Sequence, residues 1–466
     1  MPHSADEQLI QRKARGEEEP TIEGSMLSRA CEVEATTSKP SGPGETASWA
    51  RAGLQGRDEM TILFVSHLRL HPTYWGAEKR VSQLVNWLLS EGYRVMYLHY
   101  GDEPLPSEDC RKLPHDLVYI EAATSAHRFL HLAADAIRTV VRRLIPFVPR
   151  HVVTDPKKLW HAELGPELSR VVAQYEPDIA ILEYLWTTLA ADFLPPRTLK
   201  IVDTHDVFSR KRQLYDAGID PFFYCSESVE RDWLLRSDVI MAIQEEEAGW
   251  FRKLVPERAV ITARHPGEIV SAPSSGAEPT LLFVGSAWAA NVHGITQFAE
   301  QCWPKVLAQR PAARLRLVGN VALTAGKAIP SCDHVGTVPD LACEYRRAMI
   351  VINPVSFGTG LKIKSVEALC QGKVLVSTSN GVMGIPREGE EAFVVADDWD
   401  SMASRICELI TDETARRNIA TAALDLAKKH FSAGAAFREL KAILESRKES
   451  CSGRFADAKD KKAIVG

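Results

Sequence analysis

Four residues in the second half of the chain have the types and spacing for anion chemistry. Gly360, Lys362, Lys364 and Glu367 fall in the run FGTGLKIKSVEA at 357–368. An apolar strand, 350–353, enters this run, a Gly-rich turn and a helix come after it, and a second strand spans 373–378. Backbone N–H groups at a helix start attract anions, and lysines at the same end add positive charge. Lys362 and Lys364 project to different sides of the helix; the bland reading of each is a solvated surface lysine. Glu367 lies two turns beyond Gly360, on the flank of the face formed by Ile363, Val366 and Cys370, and its side chain tilts back towards the loop. Packing does not explain a carboxylate there, because burying it unpaired is costly. The alternative is a surface glutamate paired with Lys364 or Lys373.

Other candidates sit at strand ends. His205 and Asp206 come directly after the apolar run 200–204, which directs His205 into a crevice and leaves Asp206 to orient it or to cap the next turn. Gly76 opens a helix over 77–90 and allows close backbone approach to a ligand. Asp398-Trp399-Asp400 spells D-x-D, but it opens a helix, where Asp is a natural cap, so no metal site is assigned. Glu245, Glu246 and Glu247 read as a solvated helical face, with Glu245 the one near a crevice.

The elements that must position these residues alternate. Strands are expected at 62–66, 94–100, 178–182, 200–204, 238–242 and 260–261, then at 281–285, 314–318, 350–353, 373–378 and 392–395. Helical spacing covers 77–90, 293–309, 400–410, 413–430 and 432–446. Strand–helix–strand alternation implies parallel sheets with right-handed crossovers. Small polar residues at 270–278 read as a linker between two doubly wound units. Residues 1–59 are polar and cannot bury enough surface to fold alone, and the charged tail 448–466 reads as disordered.

The segment 127–158 breaks the rhythm with Arg128, Arg138, Arg142, Arg143, Arg150, Lys157 and Lys158 beside helically spaced apolar residues. It is a candidate for a membrane surface or an anionic acceptor; the alternative is a solvated basic face on a core helix. The net charge of −5 over 466 residues gives no general hint of nucleic-acid binding. Nine cysteines without a close C-x-x-C pair read as buried thiols in a reducing compartment. No apolar run reaches the roughly 18 residues of a membrane span, and no signal peptide opens the chain. A cytoplasmic protein, peripheral on the inner face of a membrane at most, is expected.

The second half resembles the glycosyltransferases of the GT-B architecture, family 4 type, in LLFVGSAWAANVHGI, RLRLVGN, HVGTVPDL and GTGLKIKSVEALCQGKVLVST. The first half agrees in outline, through Trp75-Gly76-Ala77-Glu78-Lys79-Arg80 and Val202-Asp203-Thr204-His205-Asp206. The resemblance implies an α/β fold with two Rossmann-like domains facing a central cleft. It places an acceptor domain at 60–270, a nucleotide-sugar domain at 279–431 and a crossover helix at 432–447. It implies retaining, metal-independent transfer of a hexose-like sugar from a nucleoside-diphosphate sugar to a glycan or lipid-linked acceptor, with no cofactor. Polysaccharide biosynthesis is the setting it suggests.

The resemblance also distributes roles. His205, Asp206 and Lys362 fall at catalytic positions. Gly76, Ala77, Gly285, Ser286, Asn291, Val338, Thr359, Gly360, Leu361, Lys364 and Glu367 fall at substrate-binding ones, with Glu367 on the donor ribose and Val338 beside the base. Two departures stand out. Many relatives carry an acid where this chain has Thr359, and an Arg and a Lys where it has the uncharged loop 285–291. The phosphate charge is therefore expected from Lys362 and Lys364. A sugar-nucleotide epimerase of the same architecture and a degenerate sugar-nucleotide-binding subunit are the alternatives.

Overall fold

The computed structural model describes residues 60–450 apart from 74–75, 102–104, 123–153, 162, 214–222 and 324–328. The extension 1–59, Trp75, nearly all of the basic segment 127–158 and the end of the tail lie outside the described residues. Of that basic segment, Asp155 is seen to cap a short turn, Pro156–Leu159, by accepting from the Lys157 N–H at 3.0 Å.

Thirteen strands form two wholly parallel sheets among the described residues. The first holds β1 (Thr61–Ser66), β2 (Arg94–His99), β3 (Val118–Glu121), β4 (Ile179–Glu183), β5 (Leu199–Asp203), β6 (Val239–Ala242) and β7 (Ala259–Thr262), in the order β3-β2-β1-β4-β5-β6-β7. The second holds β8 (Thr280–Val284), β9 (Arg314–Val318), β10 (Cys332–Gly336), β11 (Ile350–Asn353), β12 (Val374–Ser377) and β13 (Val394–Val395), in the order β10-β9-β8-β11-β12-β13. The central strands are covered on both faces, and β1, β4, β6, β11 and β12 are buried throughout, so they read as unbroken apolar runs. β3 and β10 were not expected from sequence. Both are outermost strands, half-exposed along their length, and lack that signal.

The helix Gly76–Ser90 returns from β1 to β2 and packs Val81, Leu84, Val85 and Leu88 on the first sheet. Gly92, at φ +80°, turns the chain into β2. The helix expected at 293–309 starts earlier. It runs Ala289–Gln297, loosens into a π turn at Phe298–Cys302, and resumes as Trp303–Gln309. Pro304 lies just past that turn, and its missing N–H accounts for the break in the hydrogen-bond ladder.

After the helix Glu413–His430 the chain crosses back. A turn at Phe437 splits the expected last helix into Ala433–Ala436 and 438–450. Phe437, Leu440 and Leu444 are fully buried in the core of the first sheet, with the Phe437 ring 4.9 Å from that of Trp87. Cys225, Cys302, Cys370 and Cys407 are buried free thiols; Cys110 is exposed and Cys332 and Cys343 are half-buried, which corrects the expectation for those three. Among the described residues no helix is long and apolar enough to cross a membrane.

Because the last helix supplies part of the first core, Leu440→Ala and Leu444→Ala should each cost about 2–5 kcal/mol, the usual loss for an unfilled core leucine. Urea unfolding measures this, and an unchanged midpoint for both would place the helix outside the core.

Candidate functional site

The carboxyl ends of β4 and β5 carry a buried ionic cluster. Glu183 ends β4 and Asp203 ends β5, and both are fully buried. Arg80, on the helix Gly76–Ser90, grips Asp203 with both arms of its guanidinium, Nε to Oδ2 at 2.9 Å and Nη2 to Oδ1 at 3.0 Å. A buried carboxylate needs such a partner, and the planar fork of arginine fits it. His205 Nε2 lies 2.6 Å from Glu183 Oε2. Burial and the charge of Asp203 push the Glu183 carboxyl up, against the opposing pull of His205 and Arg80.

His205 adopts φ +58°, inside a tight turn closed by the Asp206 N–H donating to the Thr204 carbonyl at 2.7 Å. Tyr184, at φ +70°, stacks on the His205 ring at 4.2 Å, and Trp186 stacks on Tyr184 at 4.7 Å. Non-glycine residues in this left-handed region cost about 1–3 kcal/mol each and cluster at functional sites. His205 was expected to point into the crevice. It is instead 7% exposed, with Nε2 turned inward to Glu183. Glu183, Asp203 and His205 offer ligand atoms all within 4.8 Å of one another. Arg80 already engages both Asp203 oxygens, so the guanidinium supplies the cluster's cation, while Arg80 Nη1 and Glu183 Oε1 stay buried without a hydrogen-bond partner.

The second half contributes the Gly-rich loop between β11 and the helix Ile363–Cys370. Gly358 and Gly360 take φ +110° and +78°. Lys362 does not reach outward as expected. Its ammonium donates to the carbonyls of Gly358, Thr359 and Gly360 at 3.2, 3.2 and 2.9 Å, and the side chain is buried. Lys364 donates to Asn291 Oδ1 and lies 4.7 Å from the centre of the Phe283 ring. Burial, and then the charge of Lys362, push its ammonium down to about 7. Neither lysine is the solvated surface residue of the bland reading.

Around this loop, Asn291 Nδ2 donates to the Ser286 carbonyl at 3.1 Å, and the Gly285 N–H to the Val318 carbonyl at 2.9 Å. Leu361 and Val338 pack in the core beneath the loop, and Ala77 packs on the first sheet. Trp288, which sequence reading passed over, is 39% exposed and stands against Gly358, where a β-carbon would come 2.7 Å from its ring.

The two halves meet around these residues. A β-carbon on Gly76 would lie 2.5 Å from Ile363 Cδ1, so glycine permits the approach. Glu367 pairs with Lys79 and accepts from Tyr345 Oη at 3.1 Å; its partner is neither Lys364 nor Lys373. Lys373 is buried and donates to the Ser274 and Ala348 carbonyls at 2.7 and 3.1 Å, holding the linker. Thr359 Oγ1 donates to Asp206 Oδ1 at 2.7 Å, and Lys211 Nζ reaches Asp206 Oδ2 at 2.6 Å. Glu247 is buried beside them, with Gln244 donating to its Oε1 at 3.1 Å, so the stretch 245–247 is not a uniformly solvated face. Glu245 instead pairs with Arg252 and Thr262. Asp398 caps the helix Trp399–Thr411, accepting from the Ser401 N–H at 2.8 Å, as the cap reading holds.

Sequence reading gave no role to Lys79 and Arg80, though both lie in the first-loop motif, and missed Glu183 and Lys211. Glu183 had a signal, an acid at the carboxyl end of an apolar strand, where open α/β sheets bind ligands. Lys79 had none, because its partner Glu367 lies 288 positions along the chain.

Residues 278–412 match the family described as Glycosyl transferases group 1. An uncharacterized 44.6 kDa protein in the cps region of Klebsiella pneumoniae is 25% identical over 178 residues, 34% of this chain and 44% of that protein. The chain thus spans under half the length of that curated relative. Among solved structures, sucrose-phosphate synthase from Thermosynechococcus elongatus superposes with a TM-score of 0.62 at 15% identity, over 83% of this chain and 98% of that one. An S. aureus TarM mutant in complex with fondaparinux, alpha-GlcNAc-glycerol and UDP gives 0.61 at 9% identity, over 83% and 99%. A putative UDP-N-acetylglucosamine 2-epimerase from Listeria monocytogenes gives 0.51 at 12% identity, over 84% and 97%. The fold is the GT-B fold of glycosyltransferases, as the sequence resemblance implied, and the epimerase shows that the fold alone does not choose the reaction.

Two outcomes test the cluster beneath the cleft. Arg80→Met leaves Asp203 buried and unpaired and should cost about 3–5 kcal/mol in urea unfolding. His67, just past β1, is pushed down to about 3 by burial and by His205, His99 and His161. The unfolded chain then takes up the proton first as pH falls below about 6.5, and near pH 5 this site alone should remove about 2 kcal/mol. His67→Gln should flatten the slope of unfolding free energy against pH between 7 and 5; an unchanged slope would mean that His67 is not held neutral.

Proposed function

We propose that this chain transfers a sugar from a nucleoside-diphosphate sugar to a hydroxyl acceptor with retention of anomeric configuration, in the cleft between the two sheets. The observation that carries this reading is Glu367. Its carboxylate stands at the cleft, 11% exposed, with one oxygen taken by Lys79 and the other by Tyr345 Oη. A carboxylate that accepts one donor on each oxygen suits the two hydroxyls of a ribose. Lys79 is 36% exposed and free to swing aside when a ribose arrives, which sends its ammonium towards the diphosphate. Residues 278–412, the stretch that matches the glycosyl transferase family, contain Glu367 and the loop that precedes it. UDP is the nucleotide we propose, on the strength of its presence in the TarM complex.

In the transfer, the bond between the anomeric carbon and the diphosphate oxygen breaks, and its electron pair leaves with the diphosphate. The acceptor oxygen forms the new bond on the same face, and its proton passes to the departing phosphate oxygen. The growing charge on the leaving group is met by amides at the start of the helix Ile363–Cys370 and by Lys364 and Lys79. Lys362 serves the loop instead, holding three carbonyls so that the amides face outward. His205 lies beneath the sugar site, its ring fixed by Glu183 and Tyr184. A lipid-linked or polysaccharide acceptor is the class we assign, with the basic residues of 127–158 as its attraction.

A panel of nucleotide sugars screened by thermal shift identifies the donor, because a ligand of the native state raises the midpoint. Glu367→Ala should abolish the shift and the transfer while the fold persists; full activity in both Glu367→Ala and His205→Ala would sink the assignment. Rapid epimerisation of donor alone would replace transfer as the reaction. The desolvated Lys364 adds a pH signature. UDP binding restores its proton, so affinity should fall as pH rises from 7 to 9, and calorimetry in buffers of different ionisation enthalpy should show proton uptake. Loss of that uptake in Lys364→Met confirms the source, and its persistence would assign the proton elsewhere.

A further inference from the structure

Besides Glu367, a second carboxylate in the cleft is held from both halves at once. Asp206, just beyond the carboxyl end of β5, receives the Thr359 hydroxyl on Oδ1 at 2.7 Å and the Lys211 ammonium on Oδ2 at 2.6 Å. Its side chain is 21% exposed, so it stays open to the cleft. The loop leaves room for it: a β-carbon on Gly360 would already stand 3.3 Å from Asp206 Oδ1. Glu247 lies close by, and burial together with the charge of Asp206 pushes its carboxyl well up. Lys362 is the other cation facing this pair, and Asp206 and Glu247 partly offset its desolvation.

The loop itself offers donors and no acid. Residues 354–366 include two lysines and no carboxylate. A site that recognises a sugar through its hydroxyls needs fixed acceptors as well as donors, since unmatched polar groups in a closed site are costly. Asp206 is the exposed carboxylate that reaches this loop.

We propose that Asp206 accepts a hydrogen bond from a hydroxyl of the transferred sugar, and that Thr359 is the residue that positions it. This rests on the transferase reading above. The acid belongs to the first half and its positioning group to the second, so the carboxylate takes its place only when the halves are together. Position 359 points at the Asp206 carboxylate, so an acid there would occupy the same region from the opposite side. The charge should therefore be movable across the cleft.

Five variants test this, with kcat for transfer and the Kd for UDP as readouts. Asp206→Asn keeps size and shape and should lower kcat by about 100-fold while UDP affinity stays within about twofold. Thr359→Val should cost about tenfold, and Thr359→Ser should restore most of that. Asp206→Asn combined with Thr359→Glu should regain about tenfold or more over Asp206→Asn, whereas Thr359→Glu alone crowds two carboxylates and should lower activity. The assignment is overturned by an Asp206→Asn enzyme within threefold of wild type, by a parallel loss of UDP affinity, or by a double variant no better than Asp206→Asn. Wild-type protein that transfers while Asp206→Asn is unaffected overturns this assignment alone. Wild-type protein that neither binds nor transfers from any nucleotide sugar overturns both.

Discussion

The cleft depends on one buried ion pair. Arg80 and Asp203 are both fully removed from water, and each would be untenable without the other. Their fork joins the helix that begins at Gly76 to the end of β5. That junction sets the helix start at the cleft, and with it Lys79. It also fixes where the chain leaves β5, and hence the strained turn at His205 and the position of Asp206. Four candidate residues take their places from a contact that faces no ligand.

The opposite wall solves a different problem. A loop with two glycines in left-handed conformations exposes carbonyls that a phosphate would repel. Lys362 gathers three of them onto one ammonium. The lysine that looked from sequence like a phosphate ligand is thus the loop's internal support, and Lys364, half-buried beside Asn291, is left as that wall's cation.

The legibility of the sequence depends on where its information resides. The central strands are sandwiched between helices, so burial on both faces writes an apolar run that needs no partner to be recognised. β3 and β10 lie at sheet edges, and half-exposed strands write no such run. The Gly-rich loop, Glu367 and His205 were legible as types at element ends. Their partners were not. Lys79 meets Glu367 across 288 positions and Thr359 meets Asp206 across 153, and nothing local announces either contact. The alternative in which Glu367 pairs with Lys364 or Lys373 fails for that reason: helical spacing sees only near neighbours.

The return of the last helix has a consequence for how the chain is made. Phe437, Leu440 and Leu444 fill the core of a sheet whose strands all lie before residue 263. Domains usually fold as they leave the ribosome, first half first. Here the first sheet can assemble early but stays open on one side until residues 437–444 emerge. An apolar surface around Val81 and Trp87 remains uncovered until Phe437, Leu440 and Leu444 have been made. The two halves therefore mature together, and completion of the second is the event that closes the first.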